Sequence, residues 1–218
     1  GKSAGSAITT GGRNVAIGSY ALQAEDGDGR NVAIGYRSLL VQNAGANAYN
    51  VAIGYDAGLA VSTGVRNVIM GGIAGDALTT GGHNVAIGYG ALSTEDAHGR
   101  NVAIGSGALY AQDAGADAYN VAIGYDAGTA MTTGLKNTLI GASAGIAMTD
   151  SYYNVAVGFE SLKTSTGYGY NTAVGYQSLY TLNATGGNGY NVGVGYQAGY
   201  GMTSGVQNIL IGSATGDA

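Results

Sequence analysis

The sequence has no cysteine, no proline, no tryptophan and a single phenylalanine. Without Cys there are no disulfides and no thiolate metal sites. Without Pro, no backbone donor is missing from a hydrogen-bonded ladder. High glycine without proline or a strict Gly-X-Y period excludes collagen. Charge is also scarce, at 10% of residues, well under the usual share of about a quarter, so charge-driven disorder is not expected. The net charge of −5 argues against a nucleic-acid surface, which needs a basic stripe, and against docking on an anionic membrane. No apolar run approaches the roughly 20 residues that span a bilayer, so this segment is not expected to insert into a membrane. No signal peptide is visible.

What the chain does have is glycine, 42 of 218 residues, and repetition. The stretch Asn14-Val15-Ala16-Ile17-Gly18 returns twelve times, with Asn14, Asn31, Asn50, Asn67, Asn84, Asn101, Asn120, Asn137, Asn154, Asn171, Asn191 and Asn208 at its head. A Gly follows four residues later in every copy, from Gly18 to Gly212. Most spacings are 17 residues, and a spacing of 19 or 20 follows the second unit of each four. A super-repeat of 70 residues results: 14–83, 84–153 and the start of a third at 154–218, with 1–13 the end of a preceding unit. Tandem similarity at this period means stacked units, here one array over 1–218. Gly1 occupies the slot of Gly71, Gly141 and Gly212, and neither end carries an atypical capping repeat. The chain also begins without Met. The natural array is therefore expected to continue, or copies to abut head to tail.

Within a unit, the residues at the first and third positions after Asn are β-branched or large and alternate with Ala and Gly. That period of two predicts a short strand with Val15 and Ile17 on one face. Expected to face inward, Val and Ile would form internal columns. A second short segment follows the Gly, such as Tyr36-Arg37-Ser38-Leu39, and then a turn such as Thr63-Gly64. The second segment ends on Leu in the first two units of each four (Leu22, Leu39) and on Gly in the others (Gly58, Gly75). Each unit is thus predicted to be one coil of strand, Gly bend, second strand and turn. The fold class is all-β, a parallel β-solenoid or β-roll of twelve coils, each of 17–20 residues. At about 4.8 Å per coil the array would be roughly 55 Å long. The Asn column suits a structural side-chain ladder. In the fourth unit of each set the Ala after Val becomes Ile69, Leu139 or Leu210, while the residue five after Asn becomes small (Gly72, Ala142, Ser213) rather than Tyr. The two positions are expected to share one volume.

The motif Asn-Val-Ala-Ile-Gly-x-x-Ala, as at residues 14–21, resembles the head repeat of trimeric autotransporter adhesins of the YadA-like type. Similar units occur in bacteriophage tail fibres and in long repetitive bacterial surface proteins. The resemblance covers nearly the whole chain. It implies a left-handed parallel β-roll and association of three chains. Family units are shorter than the 17 residues found here, which leaves room for a longer turn or another cross-section. A thin coil core supports association, because small coils bury little.

The residue before each Asn makes a second column: Arg13, Arg30, Tyr49, Arg66, His83, Arg100, Tyr119, Lys136, Tyr153, Tyr170, Tyr190 and Gln207. Cations and rings at coil spacing suit cation–π packing. The same side chains, Tyr49, Tyr119, Tyr153, Tyr170, Tyr190, Arg30 and Arg100 above all, form a candidate glycan or partner surface through ring faces and forked hydrogen bonds. Acidic turns (Glu25-Asp26-Gly27-Asp28-Gly29, Glu95-Asp96 with His98, Asp113 with Asp117) lack the spacing of a calcium loop and read as solvated turns offsetting the Arg column. His83 and His98 sit in different units without paired ligands, which disfavours zinc. No catalytic set stands out: Asp56 and Asp126 do not form a marked carboxylate pair, Gly105-Ser106-Gly107 is repeat background, and the glycines are not in a strand–loop–helix phosphate loop. Thr pairs occur in too few coils for a flat ice-binding array. No cofactor is implied.

The expected function is a non-enzymatic structural and adhesive segment of an extracellular fibre or filament, at a cell surface or on a virion. Its partner would be itself, as a homotrimer or a head-to-tail filament. A phage tail-fibre segment that binds host surface glycans is the alternative, and a polysaccharide-processing enzyme on a β-solenoid is a third reading.

Overall fold

A computed structural model describes residues 1–27, 29–167, 169–183 and 187–216. It is all-β, with twelve strands of three residues each: β1 (Val15–Ile17), β2 (Val32–Ile34), β3 (Val51–Ile53), β4 (Val68–Met70), β5 (Val85–Ile87), β6 (Val102–Ile104), β7 (Val121–Ile123), β8 (Thr138–Ile140), β9 (Val155–Val157), β10 (Thr172–Val174), β11 (Val192–Val194) and β12 (Ile209–Ile211). The chain forms two compact units. Gly1–Ser106 with Gly115–Asp117 carries β1 to β6, and Gly107–Ala114 with Ala118–Ala218 carries β7 to β12.

Within each unit consecutive strands pair in parallel with equivalent residues opposite one another: Val15 on Val32 and Ile34 on Ile53 in the first, Thr138 on Val155 and Val174 on Val194 in the second. This is a parallel β-solenoid, one coil per repeat. Each strand stops at the Gly that closes the motif, whose φ lies between 125° and 141°. That conformation is closed to side chains. A Cβ on Gly54 would also lie 2.5 Å from the carbonyl oxygen of Gly71 in the next coil. Glycine is needed twice over at this position, once for the turn and once for the stacking distance.

The predicted second strand is not formed. Residues six and eight after Asn, such as Arg37 and Leu39, sit in the left-handed region at φ 52° and 48°, which breaks an extended run. The coil-to-coil ladder nevertheless continues through this segment. The Arg37 N–H donates to the Ser19 carbonyl of the preceding coil at 3.0 Å, and the Leu39 N–H donates to the Ala57 carbonyl of the following coil at 3.1 Å. Residues of opposite φ sign alternate, so successive amides point up and down the stack much as in a strand.

The strand faces are the reverse of the expectation. The central residue points inward: Ala33, Ala52, Ile69, Ala86, Ala103, Ala122, Leu139, Ala156 and Ala173 are fully buried. The Val and Ile on either side face outward and are half-exposed, rising to 57% at Ile17 and 71% at Ile209 on β1 and β12. A 17-residue coil is too narrow to take two large side chains from the strand side. Its core is filled from across, by Leu22, Leu39, Leu92, Leu109, Leu162 and Leu179, and by Val61, Leu78, Met131 and Met148 from the turn.

This corrects the partner in the size exchange. The bulky central residue does not share space with the outward Tyr. It fills the room left where the Leu eight after Asn becomes Gly. A Cβ on Gly58 would lie 3.0 Å from Ile69 Cδ1, one on Gly128 2.7 Å from Leu139 Cδ1, and one on Gly199 2.7 Å from Leu210 Cδ1. The core is thus filled by Leu in the first two coils of each set, and in the third and fourth by the one bulky strand residue of the fourth coil, which lies beside both glycines, at near-constant volume.

Candidate functional site

The Asn column is inside the coil corner. Ten of the twelve side chains, Asn31 to Asn191, are buried, while Asn14 and Asn208 are half-buried. Within each unit, the Asn Oδ1 accepts the backbone N–H of the next Asn, from Asn14 to Asn31 at 2.8 Å through Asn50 to Asn67 at 2.8 Å in the first, and from Asn171 to Asn191 at 3.1 Å in the second. In several units the Nδ2 reaches the turn of the following coil: Asn50 to the Gly64 carbonyl at 2.7 Å, Asn67 to Gly81 at 2.9 Å, Asn137 to Ser151 at 2.8 Å. In Asn154 and Asn171 it donates to the preceding Asn Oδ1, at 3.2 and 3.1 Å. One amide therefore satisfies a strand-start donor and a turn acceptor that would both be buried without partners. Ala or Asp lacks one or both of these functions.

The residue before Asn is held in the left-handed region throughout, with φ between 51° and 65°. Its N–H reaches back one coil, as from Arg66 to the Ala48 carbonyl at 2.7 Å and from Lys136 to Ala118 at 2.8 Å. The side chain is thrown outward, so the column is a surface feature whose chemistry the core does not constrain. In the first unit Arg30 lies 5.3 Å from the centre of the Tyr49 ring and donates from Nη1 to its hydroxyl at 2.7 Å. Arg66 Nη1 is 3.5 Å from His83 Nε2, and Arg100 Nε is 3.2 Å from the Asp117 carboxylate.

In the second unit the column becomes aromatic. It begins at Tyr119 and Lys136. Lys136 sits 5.0 Å from the centre of the Tyr153 ring and donates to its hydroxyl at 3.0 Å. That hydrogen bond holds the Lys136 ammonium above its usual pKa. Tyr153, Tyr170 and Tyr190 stack at 5.0 and 5.1 Å with planes 16° and 21° apart, and Tyr152 meets Tyr153 and Tyr170 edge-on. Desolvation, then the neighbouring phenols Tyr153 and Tyr190, raise the Tyr170 pKa. The rings of this column have their faces turned to one another along the stack. A sugar that packs on an aromatic face finds those faces covered. The exposed part is a row of ring edges and hydroxyls.

A second aromatic column, five residues after Asn, stacks in the same manner: Tyr36 on Tyr55 at 5.5 Å, and Phe159, Tyr176 and Tyr196 at 5.5 and 5.3 Å. It flanks the outward Val and Ile rows. Sequence reasoning missed this outer apolar face altogether by placing Val and Ile inside. In the first unit it is continuous and wholly apolar, while in the second Thr138 and Thr172 interrupt one row. Six strands at about 4.8 Å by three residues at about 3.3 Å cover on the order of 300 Å².

The acidic turns are not simply solvated. Glu25 and Glu95 are fully buried, and Glu25 Oε2 accepts the Asn31 amide at 3.2 Å. Asp28 of the first acidic turn lies outside the described residues. Glu95, Asp96 and His98 bring their ligand-capable atoms within 4.8 Å of one another, so His98 does meet carboxylates, within its own turn. Glu95 Oε1 there accepts the His98 backbone N–H at 3.2 Å, which closes the turn. The third set has Ser165 in place of this Glu. Asp56, weighed as a catalytic carboxylate, is 5% exposed and bound by Arg37 through Nε at 2.9 Å and Nη2 at 2.5 Å. That pairing raises the Arg37 pKa further. Among the described residues no helix is long and apolar enough to cross a membrane. Compared with protein-family models, with curated proteins and with solved structures, the chain matches none.

Proposed function

We propose that the chain is a stiff, non-enzymatic segment of an extracellular fibre, at a cell surface or on a virion, whose copies associate in threes by turning their outward Val/Ile faces toward a common axis. The observation that carries this reading is that face. In the first unit every outward strand residue is apolar: Val15, Val32, Val51, Val68, Val85 and Val102 in one row, Ile17, Ile34, Ile53, Met70, Ile87 and Ile104 in the other. A contiguous apolar patch of about 300 Å² is in the range of the largest patch on a typical chain, which is often functional. The rows repeat at coil spacing and carry neither charge nor side-chain hydrogen-bonding groups. The surface that matches such a period and chemistry is another copy of the same face. Closed rotational symmetry lets every copy bury it. Stiffness follows from the coil-to-coil ladder, in which the Asn side chains add a second line of hydrogen bonds to the backbone.

The test is mass in solution by light scattering. The expected result is three times the chain mass of 21.5 kDa for the wild-type chain, and a folded monomer for the variant with Val85→Lys and Ile87→Lys, whose side chains do not enter the core. A wild-type chain that is monomeric at high concentration removes the proposal, and so does a double variant that remains trimeric.

A further inference from the structure

The repeat sets allow one corner of the first unit to be compared with its own copy. In the second set the corner is closed by Asp117. One of its carboxylate oxygens lies 3.2 Å from Arg100 Nε, and the other accepts the Gly99 N–H at 3.1 Å. In the first set the equivalent slots hold Asn47, Arg30 and Gly29. Asn47 brings no charge. The Arg30 guanidinium is engaged by the Tyr49 hydroxyl and ring, and no described carboxylate lies within ion-pair distance of it. Gly29 is buried, and its N–H has no acceptor among the described residues. Arg13, in the preceding coil, is exposed and also has no ion pair among the described residues. Gly12, Arg13, Gly29, Arg30 and Asn47 line an open cavity of about 290 Å³.

The geometry points to a carboxylate-binding site: the first-set corner takes from a ligand the group that the second-set corner carries in its own chain. Asp117 is the template. A carboxylate in its place bridges the Arg30 guanidinium and the Gly29 N–H, two charge-assisted contacts of the strong kind, with Arg13 as a second cation. Tyr49 holds the Arg30 head in position, so little side-chain freedom is lost on binding. The cavity is at the small end of ligand pockets, which start at about 300 Å³, and has room for one ring. Its remaining lining is glycine backbone and the Asn47 amide, which donates and accepts and so suits hydroxyl groups. The ligand class is a carboxylated sugar, a uronic acid unit, recognised by charge and hydrogen bonding rather than by the stacked rings of the second unit. This site does not depend on the association proposed above. Asp26 is exposed in the same turn, and Asp28, which lies outside the described residues, is tested by substitution.

The experiment is calorimetric titration of the full chain with glucuronate and short glucuronate oligomers, beside glucose, acetate and an acidic peptide. Glucuronate is expected to bind at one site per chain, more tightly than each of the three controls. Asn47→Asp puts the second-set carboxylate into the first-set corner and is expected to weaken binding by roughly tenfold or more, the effect of a lost charge-assisted hydrogen bond. Asp117→Asn does the reverse and is expected to open a second site. Both substitutions place a residue that the same corner already carries elsewhere in the chain, so the fold is kept. The proposal is overturned by equal affinity for glucose or acetate, by tighter binding of the acidic peptide, or by an Asn47→Asp chain that binds as well as the wild type. Binding seen only after Asp28→Asn also overturns it, because the chain's own carboxylate would then be the occupant.

Discussion

The two units have the same coil and opposite surface chemistry. All five arginines and both histidines belong to the first unit, and twelve of the seventeen tyrosines belong to the second. The difference is concentrated in slots that point outward, above all the residue before Asn. There the backbone is left-handed in both units, and the side chain never enters the core. The slots that do not change are those with two tasks: Asn, which serves a strand start and a turn, and the motif Gly, which meets both a φ and a stacking requirement. A slot with one geometric task and no packing task is free to be Arg in one unit and Tyr in the other. The comparison separates what builds the coil from what the coil displays.

The strongest way to break the comparison is to attack a shared core slot. Ile69→Ala in the first unit removes the side chain that fills the space beside Gly58 and Gly75. It is expected to cost about 2–5 kcal/mol, the usual range for a buried large-to-small change. Leu139→Ala in the second unit, beside Gly128 and Gly145, is expected to cost the same, since the two units build this layer alike. Adding Gly58→Leu to Ile69→Ala copies the arrangement of Leu39, whose backbone has φ 48° against 60° at Gly58, and is expected to recover roughly half of the loss. Urea unfolding of the four chains measures this. A double variant no more stable than Ile69→Ala alone would show that the two slots do not share one volume.

A smaller effect distinguishes the display columns. Tyr170→Ala removes a ring stacked between Tyr153 and Tyr190. At about 0.5–1.5 kcal/mol per stacked pair, the second unit is expected to lose on the order of 1–2 kcal/mol. Arg66→Ala, in the equivalent column of the first unit, is expected to change stability by less than about 0.5 kcal/mol, as an exposed side chain with one long polar contact does. Equal losses at the two positions would mean that the stacked rings add nothing beyond the shared backbone.

The strands were legible because Asn and Gly bracket each one and β-branched residues alternate between them. The inside and outside faces were not, because a period of two says that neighbours face opposite ways without saying which way is in. A deciding signal was present. Ile69 and Leu139 appear where Gly58, Gly75, Gly128 and Gly145 replace Leu, which ties the central strand residue to the Leu slot and hence to the core. The second strand was predicted because nothing in Tyr36-Arg37-Ser38-Leu39 announces two left-handed residues. Non-glycine side chains take that conformation here at a local cost, offset by the inter-coil hydrogen bonds it permits. The display columns could be read as columns, yet the stacking of ring on ring, which covers the faces, depends on side-chain torsions that spacing does not encode. Asn47 and Asp117 differ plainly in the sequence. Only the corner geometry gives that difference a meaning.

The smallest effect sharpens the comparison at the column six residues after Asn, where the first unit pairs Arg37 with Asp56 and the second pairs Glu160 with its neighbours. Glu160 Oε1 lies 2.6 Å from Lys163 Nζ, and Oε2 accepts the Gln177 amide at 2.7 Å. The Lys163 hydrogen bond, then that from Gln177, lowers the Glu160 pKa. A carboxylate depressed in the folded state contributes stability above its unfolded pKa, near 4.3, and that contribution is lost as pH falls through the folded pKa. Glu160→Gln is therefore expected to cost up to about 1 kcal/mol at neutral pH, the range for a partly exposed ion pair, with the difference from wild type shrinking toward zero in acid. Urea midpoints of the two chains at neutral pH and well below the glutamate pKa measure it. A gap that stays constant across that range would show that the side chain acts by packing alone, and that the second unit holds this column without the charge that the first unit invests in Arg37 and Asp56.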